Sequence, residues 1–392
     1  MPITPEIVQR LRNAIQPDRL VQTAIQLIEI PSPTRSAAAV SDRLEQLLRD
    51  DGFSVERPEA GWPAAPAVAT RWTAGDGGRT LQFNGHLDVV HLAFVAPEVK
   101  DGILTGSGAS DMKGGIAAMY EALRVLRDTG VLERGSILFT AHDLHELPWG
   151  DGSQVDGLIR EGYIGDGVLL PEYLSDQLSV VSRGMSVLEI KITRTGEPVH
   201  EVLGGKQQPS VVSAGAELIR RFDDLDKELA TLTHPLAGSE SIFFGQISGG
   251  EIYNQSPTEL KIAGTRRWLP GNTIESAKQQ FFDILADVAQ QSGTQIEGNF
   301  LVGRDAFELD QQHPLVAAFQ SSHASVVGEP LPIGAKPFVD DGNTFVRSGG
   351  IAAITHGPAA TGAHTVNEQV PIDELVRVAL VYALTAVEFC NG

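Results

Sequence analysis

Short apolar segments of strand length alternate with segments of helical spacing along the first half of the chain, and this alternation constrains the fold most. Thr80–Gly85, Ser136–Ala141 and Gly167–Leu170 are strand-like, whereas Met112–Leu126 and Val155–Glu161 have helical spacing. Such an order is typical of βαβ units, so we predict an α/β domain with a mostly parallel mixed sheet and flanking helices. In sheets of this kind the functional site lies beyond the carboxyl ends of the strands.

The pattern changes near Arg183. Between 183 and 302 the predicted order is strand, helix, strand, strand, helix, strand, which is the split βαβ arrangement of a ferredoxin-like α+β module. We therefore predict that residues 183–302 are an inserted domain, and that 1–182 and 303–392 together form the larger α/β domain. Within the larger domain, Phe53–Val55 is predicted to be a short strand.

The charge balance limits the classes of partner. The 392 residues include 30 basic and 50 acidic side chains, which gives a formal charge of −20. Binding to nucleic acid or to anionic membranes depends on basic patches, so we expect neither partner. The chain has no secretory signal pattern and no run of about 18 apolar residues, so we expect a cytoplasmic protein. The single cysteine, Cys390, excludes a disulfide framework and a thiolate zinc site.

Acidic residues and histidines cluster at the predicted strand ends of the larger domain. His86 and Asp88 follow one strand and, at alternating positions, face the same way. A carboxylate behind an imidazole orients a histidine metal ligand, although this motif taken alone favours a histidine at a strand end beside a capping aspartate. The segment HDLHE (142–146) follows the next strand along the chain, and Glu172 follows a third.

Two further candidates lie at predicted helix starts. Asp111 stands among glycines in GSGASDMKGG (106–115), as either a helix cap or a ligand, and His364 precedes the final helix. Each signal alone is compatible with a structural role. Imidazole and carboxylate ligands without thiolate suit zinc, manganese or cobalt, and two histidines with three carboxylates match a two-metal site that shares one carboxylate. The five potential ligands are His86, Asp111, Glu146, Glu172 and His364.

The order of GHLDVV (85–90), GSGASDMKGG (106–115) and GPAATGAHTVNEQV (357–370) resembles the dinuclear zinc peptidase and aminoacylase family. That family includes aminoacylase-1, acetylornithine deacetylase, succinyl-diaminopimelate desuccinylase and carboxypeptidase G. The resemblance extends from about Leu20 to the last helix. It implies a catalytic domain with two metal ions, and an inserted α+β lid domain through which the chain would form a homodimer.

The resemblance also implies a role for each potential ligand. His86 would bind one metal ion and His364 the other, and Asp111 would bridge the two. Glu172 would join the ion of His86, and Glu146 would join the ion of His364.

Further roles follow from the same resemblance. Asp88 would orient the first histidine ligand. In the lid, His200 would stabilise the oxyanion, and Asn254 and Arg267 would hold the substrate carboxylate, for which the forked guanidinium is well suited. The segment 340–343 matches a loop near the substrate, without an assigned role.

His145 is the main departure from the family, which normally has two adjacent glutamates at 145–146, a general base followed by a metal ligand. Here the ligand Glu146 is kept and the base is a histidine. An imidazole can act as a base near neutral pH, but it can also bind a metal ion, so the site would hold two ions or one. His142 and Asp143, which precede this pair, are also unusual, because the family resemblance implies a short acidic segment here.

The resemblance thus implies a metal-dependent hydrolase that uses a metal-activated water to cleave the amide C–N bond of a small carboxylate-bearing substrate. An N-acyl amino acid or a dipeptide would be such a substrate. The alternative is a hydrolytic deaminase or another C–N hydrolase on the same scaffold, with His145 in place of the glutamate base. A non-catalytic metal-binding or ligand-binding scaffold is a third interpretation, supported only by the loss of that glutamate.

Overall fold

The computed structural model describes residues 3–392, apart from the side chain of Val302. In chain order the α-helices of this part are α1 (Pro5–Ala14), α2 (Pro17–Ile28), α3 (Ala38–Asp50), α4 (Lys113–Thr129), α5 (Ser153–Arg160), α6 (Val211–Leu229), α7 (Ile274–Ser292), α8 (Pro314–Val327), α9 (Asp341–Gly349) and α10 (Ile372–Asn391).

The strands follow the alternation seen in the sequence. In chain order they are β1 (Val68–Gly75), β2 (Thr80–His86), β3 (Glu98–Lys100), β4 (Ile103–Thr105), β5 (Gly135–His142), β6 (Gly167–Leu170), β7 (Leu178–Ser182), β8 (Gly184–Thr193), β9 (Val199–His200), β10 (Thr233–His234), β11 (Gly238–Ser239), β12 (Ser241–Gly249), β13 (Gln255–Ser256), β14 (Glu259–Trp268), β15 (Gln295–Arg304), β16 (Phe307–Glu308), β17 (Ile333–Lys336), β18 (Ala352–Thr355) and β19 (Gln369–Pro371).

The chain forms two compact units. The first unit contains the residues up to Val180 together with Leu309–Ala335 and Asp340–Gly392, and the second contains Val181–Glu308 and Lys336–Val339. The predicted inserted segment 183–302 lies within the second unit. The predicted domain boundaries, 1–182 with 303–392 and 183–302, stay predictions.

The first unit is built on a mixed sheet in the order β1-β5-β2-β6-β18-β7. Strands β5, β2, β6 and β18 are parallel to their neighbours in this set, and β1 and β7 pair antiparallel at the two sides. This confirms the mostly parallel sheet predicted from the alternating pattern. In the parallel register His86 is opposite His142, so the carboxyl ends of β2 and β5 bring two of the predicted polar clusters together.

Helix α4 is buried along most of its length, and its first turn approaches the sheet closely. A Cβ on Gly115 would lie 2.3 Å from the carbonyl oxygen of Pro171, so only glycine permits this approach. The glycines after Asp111 therefore allow α4 to pack against the segment that carries Glu172. Asp111 is not the helix cap, because the N-cap position is occupied by Met112.

The second unit contains a four-stranded antiparallel sheet in the order β12-β14-β8-β15. Helices α6 and α7 supply side chains such as Leu218 and Phe281 to a core that also contains Leu188, Ile190 and Ile192 of the sheet. Apart from the two-residue strands β9, β10, β11 and β13, the element order is β8-α6-β12-β14-α7-β15, which confirms the predicted split βαβ pattern.

Two local features differ from the sequence-based prediction. The predicted strand Phe53–Val55 is wrong, because only Glu56 forms an isolated bridge, with Ala69. The two apolar side chains of that segment are instead buried in the core without strand pairing. Helix α9 was not predicted, because its nine-residue sequence DGNTFVRSG is short, mostly polar and contains two glycines.

None of the helices in 3–392 combines the length and the apolar character that crossing a membrane requires.

Candidate metal centre

Asp111 lies between two histidines. Its Oδ1 is 3.1 Å from Nε2 of His86, and its Oδ2 is 3.3 Å from Nε2 of His364. Burial would raise the pKa of Asp111, but hydrogen bonds from His364 and His86 lower it well below its usual range. The two oxygens of one carboxylate therefore face different imidazoles, which is the arrangement that a bridging ligand requires.

His364 reaches the cluster from a loop rather than from a helix or strand. Its φ of 60° lies in the left-handed region that few residues other than glycine adopt. Besides Asp111, its Nε2 contacts Oε2 of Glu146 at 3.1 Å. These two hydrogen bonds raise the pKa of His364 to about 10. The side chain is 55% exposed, so this side of the cluster is accessible from solvent.

Glu172 lies beside His86, the other of the two histidines that contact Asp111. Its Oε1 is 3.9 Å from Nε2 of His86, and this buried oxygen has no hydrogen-bond partner among the described residues. Burial and the nearby charge of Asp111 raise the pKa of Glu172 well above its usual range. A buried carboxylate without a partner is costly, so this oxygen marks a position where a cation would be stabilising.

His86 is oriented by Asp88, but not by the atom expected. The imidazole Nδ1 donates to the main-chain oxygen of Asp88 at 2.9 Å, whereas the carboxylate Oδ1 is 3.7 Å away. The Asp88 carboxylate instead accepts the main-chain N–H groups of His145 and Glu146, at 3.1 and 3.0 Å from Oδ2. Asp88 thus orients the imidazole with its carbonyl group and fixes the 145–146 segment with its side chain.

Glu368 holds the Asp111 segment in place. Its buried carboxylate accepts the main-chain N–H groups of Gly108, Ser110 and Asp111 at 3.1, 3.2 and 3.1 Å, and also the Ser110 hydroxyl. Burial raises the pKa of Glu368. Because Glu368 lies four residues after His364, it joins two segments that both contribute to the cluster. No role was predicted for Glu368 from the sequence.

His145 is part of the same buried cluster. Its ring stacks on that of His86, with centroids 3.9 Å apart and an interplanar angle of 4°. Its Nε2 is 3.7 Å from Oε1 of Glu172, and its Nδ1 is 3.0 Å from Oδ2 of Asp341. Potential ligand atoms of His86, His145 and Glu172 all lie within 4.8 Å of one another, as do those of His86, Asp111 and Glu146.

Asp341 also belongs to this cluster, although no role was predicted for it from the sequence. The same Oδ2 that contacts His145 is also 3.0 Å from Nε2 of His142. Burial would raise the pKa of Asp341, but the charges of His145 and His142 lower it well below its usual range. Asp341 is also the first residue of α9, where the amino end of a helix favours a negative charge.

The predicted residues of the second unit form two separate groups. Nδ2 of Asn254 lies 3.0 Å from Nε2 of His200, on the paired strands β9 and β13 and the turn before them. Arg267 is half-buried, and burial together with the charge of Arg183 lowers its pKa. The adjacent Arg266 is buried in an ion pair with Glu240 at 2.6 Å. Within the described residues, the Arg267 guanidinium has no ion pair or hydrogen bond, so it is the arginine of this pair that is available to an anion.

Comparison with known proteins gives a family assignment. The model of peptidase family M20/M25/M40 matches residues 82–388. The chain is 36% identical to a succinyl-diaminopimelate desuccinylase of Methylobacterium radiotolerans, over 93% of this chain and 95% of that protein. It is 24% identical to an N-formyl-4-amino-5-aminomethyl-2-methylpyrimidine deformylase of Bacillus subtilis, over 95% of each.

Solved structures share the fold. A tripeptidase of Staphylococcus aureus superposes with a TM-score of 0.80 at 21% identity, over 97% of this chain and all of that one. A dinuclear metal binding peptidase of the M20 family from Bacillus subtilis gives a TM-score of 0.69 at 14% identity, over 96% of this chain and 98% of that one. With a family model that matches most of its length and a relative 36% identical, the chain belongs to peptidase family M20/M25/M40 and is a hydrolase.

Proposed function

We propose that this chain is a metal-dependent amidohydrolase that cleaves the C–N bond between an acyl group and the amine of a small carboxylate-bearing substrate. N-acyl amino acids and dipeptides are the substrates proposed first. The observation that carries the proposal is Asp111, whose two oxygens face Nε2 of His86 and of His364. Relatives whose names describe a desuccinylase and a deformylase support an acyl amide as the bond that is cleaved.

The donor set fits a pair of divalent cations. Within the described residues, the carboxylates of Asp111, Glu146 and Glu172 contact histidines but form no ion pair with Lys or Arg. We propose two zinc ions, with manganese or cobalt as alternatives. His86, Asp111 and Glu172 would hold one ion, and His364, Asp111 and Glu146 the other. When bound, such ions acidify a water molecule and polarise the substrate carbonyl.

We assign the general base to His145. Its Nε2 lies inside the cluster, 3.7 Å from Glu172, and its backbone is fixed by the Asp88 carboxylate. In this role Nε2 accepts a proton from the attacking water and returns it to the amine nitrogen as the C–N bond breaks. General acid–base catalysis by a positioned side chain contributes about 10²–10⁴-fold to the rate.

Three residues of the second unit are proposed to act on the substrate. Arg267 would pair with the carboxylate, because its guanidinium is half-buried, lies near the like charge of Arg183 and has no acidic partner among the described residues. Asn254 would assist it, and His200 would stabilise the oxyanion. The contact between His200 and Asn254 means that these two side chains would act together.

We further propose a cytoplasmic homodimer formed through the second unit. Strand β12 is at the edge of its sheet, and its side chains Phe243 and Ile247 are 66% and 60% exposed. Exposed apolar side chains on an unpaired sheet edge favour association with another strand. Phe243→Arg is expected to halve the molar mass measured by light scattering, while Arg220→Ala on the exposed surface of α6 leaves it unchanged.

A hydrolytic deaminase is the second candidate. The contacts of His142 and His145 with one Asp341 oxygen favour it, because they form a histidine-rich proton-transfer group where the related family has a glutamate base. In that case the bond cleaved would release ammonia instead of a carboxylic acid.

The test is a substrate panel with the zinc-reconstituted protein. N-succinyl, N-acetyl and N-formyl amino acids and dipeptides are incubated with it, and both free amine and ammonia are measured. We expect release of an acid and an amine from at least one N-acyl amino acid or dipeptide, and loss of that activity when the substrate carboxylate is amidated. Ammonia release from aminated compounds, with all acyl amides intact, would instead support the deaminase.

His145→Gln separates catalysis from simple metal binding. If the imidazole is the base, this variant retains its zinc and loses about 10²–10⁴-fold in kcat. A fully active variant would contradict the assignment of His145. Arg267→Gln is expected to raise KM more than it lowers kcat, since it removes a binding contact rather than a proton acceptor.

A further inference from the structure

A single carboxylate oxygen in the first unit is shared by two imidazoles. Oδ2 of Asp341 is 3.0 Å from Nδ1 of His145 and 3.0 Å from Nε2 of His142. Asp341 and His145 are 196 residues apart in sequence, so the contact depends on the tertiary fold. All three side chains are buried.

This contact selects one tautomer of His145. A carboxylate oxygen accepts but does not donate, so the nitrogen that faces it carries the hydrogen. A neutral His145 therefore has its proton on Nδ1 and its lone pair on Nε2. Nε2 is the atom on the side of Glu172, while the ring is held flat against His86 by stacking.

His142 also contacts Asp341, but it has no ring nitrogen that is left to face the metal cluster as Nε2 of His145 does. Its Nδ1 lies 2.9 Å from the main-chain oxygen of Asp143, and its Nε2 contacts both Asp341 and Asn84. Both ring nitrogens are thus engaged in structural contacts. His142 is therefore suited to fixing the Asp341 carboxylate rather than to exchanging a proton with a substrate.

Asp341 itself is anchored by α9. The helix begins with a capping box in which the side chains of Asp340 and Asn343 bond to main-chain groups, and Thr355 donates to Asp340 at 2.6 Å. These contacts fix the first turn of the helix, on which Asp341 lies. The carboxylate therefore meets His145 from a rigid element.

We propose that Asp341 is a positioning residue that holds His145 as its Nδ1–H tautomer, so that the lone pair of Nε2 is directed into the metal cluster, with His142 fixing the Asp341 carboxylate. The inference rests on the role of His145 as the base in the proposed function. It follows the general logic in which a third group orients a catalytic base. It also gives a purpose to His142, which stood out in the sequence without a role.

Ring ¹⁵N NMR of the zinc-reconstituted protein with ¹⁵N-labelled histidine tests this directly. His145→Gln identifies the signals of His145 by their loss. In the wild type we expect a protonated Nδ1 and an unprotonated Nε2. An Nε2–H tautomer of His145 in the wild type would overturn the proposal, and this measurement needs neither a substrate nor a further variant.

Asp341→Asn is the variant that removes the carboxylate, and Asp340→Asn is its matched control. Both change one negative charge at the start of α9, but only Asp341 contacts His145, and asparagine is an effective N-cap at 340. We expect the Nδ1–H signal of His145 to be lost or mixed in Asp341→Asn and kept in Asp340→Asn. An unchanged tautomer in Asp341→Asn would contradict the positioning role.

Kinetics on whichever acyl amide is turned over add a second readout. Asp341→Asn is expected to lower kcat by about 10- to 100-fold with little change in KM and in zinc content. Asp341→Glu, which restores a carboxylate, should recover part of the loss. Equal kcat values for Asp341→Asn and the wild type would refute the proposal. Failure of the whole substrate panel would leave the NMR result standing, so the two proposals fail separately.

Discussion

Asp111 and Asp341 are buried aspartates of the first unit that each contact two histidines, but they do so with different atoms. Asp111 uses one oxygen for His86 and the other for His364. Asp341 uses a single oxygen for both His142 and His145. In both cases the histidines lower the pKa of the carboxyl group although burial would raise it.

The surroundings of the two carboxylates explain what each one can do. Around Asp111 there are two further acids, Glu146 and Glu172, whose carboxylates offer additional oxygen ligands for a cation. Asp341 stands at the start of a helix, which already favours its charge. The same residue type therefore suits metal bridging at one position and the orientation of an imidazole at the other. The two aspartates differ in the number of carboxylate oxygens that contact histidines, which is two for Asp111 and one for Asp341.

The largest expected effect is that of Asp111→Asn. One of the two facing atoms becomes an NH₂ group, which cannot bind a cation, so we expect zinc to be lost from both positions. The loss of activity should exceed the 10- to 100-fold that is typical of residues outside the ligand set. Zinc content by elemental analysis is the measurement, and Asp341→Asn is the matched control because it should retain its zinc. Equal zinc contents in the two variants would contradict the assignment of metal bridging to Asp111 and of imidazole orientation to Asp341.

A second, intermediate effect concerns pH. In the metal-free protein, the hydrogen bonds that His364 donates to Asp111 and Glu146 raise the pKa of His364 to about 10, so this imidazole is protonated at pH 7.5. Zinc must displace that proton, so we expect proton release on binding and an affinity that increases as the pH rises towards 10. Titration calorimetry in HEPES and PIPES, whose ionisation enthalpies differ, measures the released protons.

The same pKa also sets the sign of a stability effect. Without metal, the contribution of His364 to folding is fully present below its ordinary pKa of 6.5 and is lost as the pH rises through about 10. His364→Gln is the control for both measurements, because it should release fewer protons and show a flatter stability profile in this interval. Proton release that is unaffected by this substitution would contradict the assignment of His364.

The smallest expected effect is that of Glu368→Gln. The glutamine keeps one acceptor oxygen but loses the charge that binds three main-chain N–H groups of the Asp111 segment. We expect the free energy of unfolding to fall by about 1–3 kcal/mol and zinc affinity by about tenfold. Glu133→Gln, at an exposed position just before β5, makes the same substitution outside any helix and should change neither. Chemical denaturation and competition with a chelator give the two quantities.

The sequence predicted the part of the site that depends on strand order. His86, Glu146 and Glu172 follow parallel strands, and the carboxyl ends of such strands meet at one edge, so their proximity could be anticipated. The family motifs added Asp111 and His364. The bond that orients His86 was assigned to the wrong atom of Asp88, because carbonyl and carboxylate oxygens of one residue cannot be distinguished from sequence.

Asp341 and Glu368 escaped prediction for a physical reason. Each contacts a segment that lies more than a hundred residues away in the sequence. Asp341 also lies on α9, whose polar sequence did not predict a helix. Residues that orient a ligand or a base are fixed by tertiary packing, which local spacing does not report. The two histidines in the segment 142–146 were the one available signal. They indicated that a further residue contacts them, but the sequence did not identify it as Asp341.

The most direct test of the central claim is the zinc content of the wild-type protein and of His145→Ala after reconstitution. If Asp111 bridges two cations and His145 is the base, both proteins bind two equivalents of zinc per chain. Failure of the wild type to bind zinc or manganese would contradict the metal-dependent mechanism. A loss of zinc in His145→Ala would make His145 a metal ligand and contradict its role as the base.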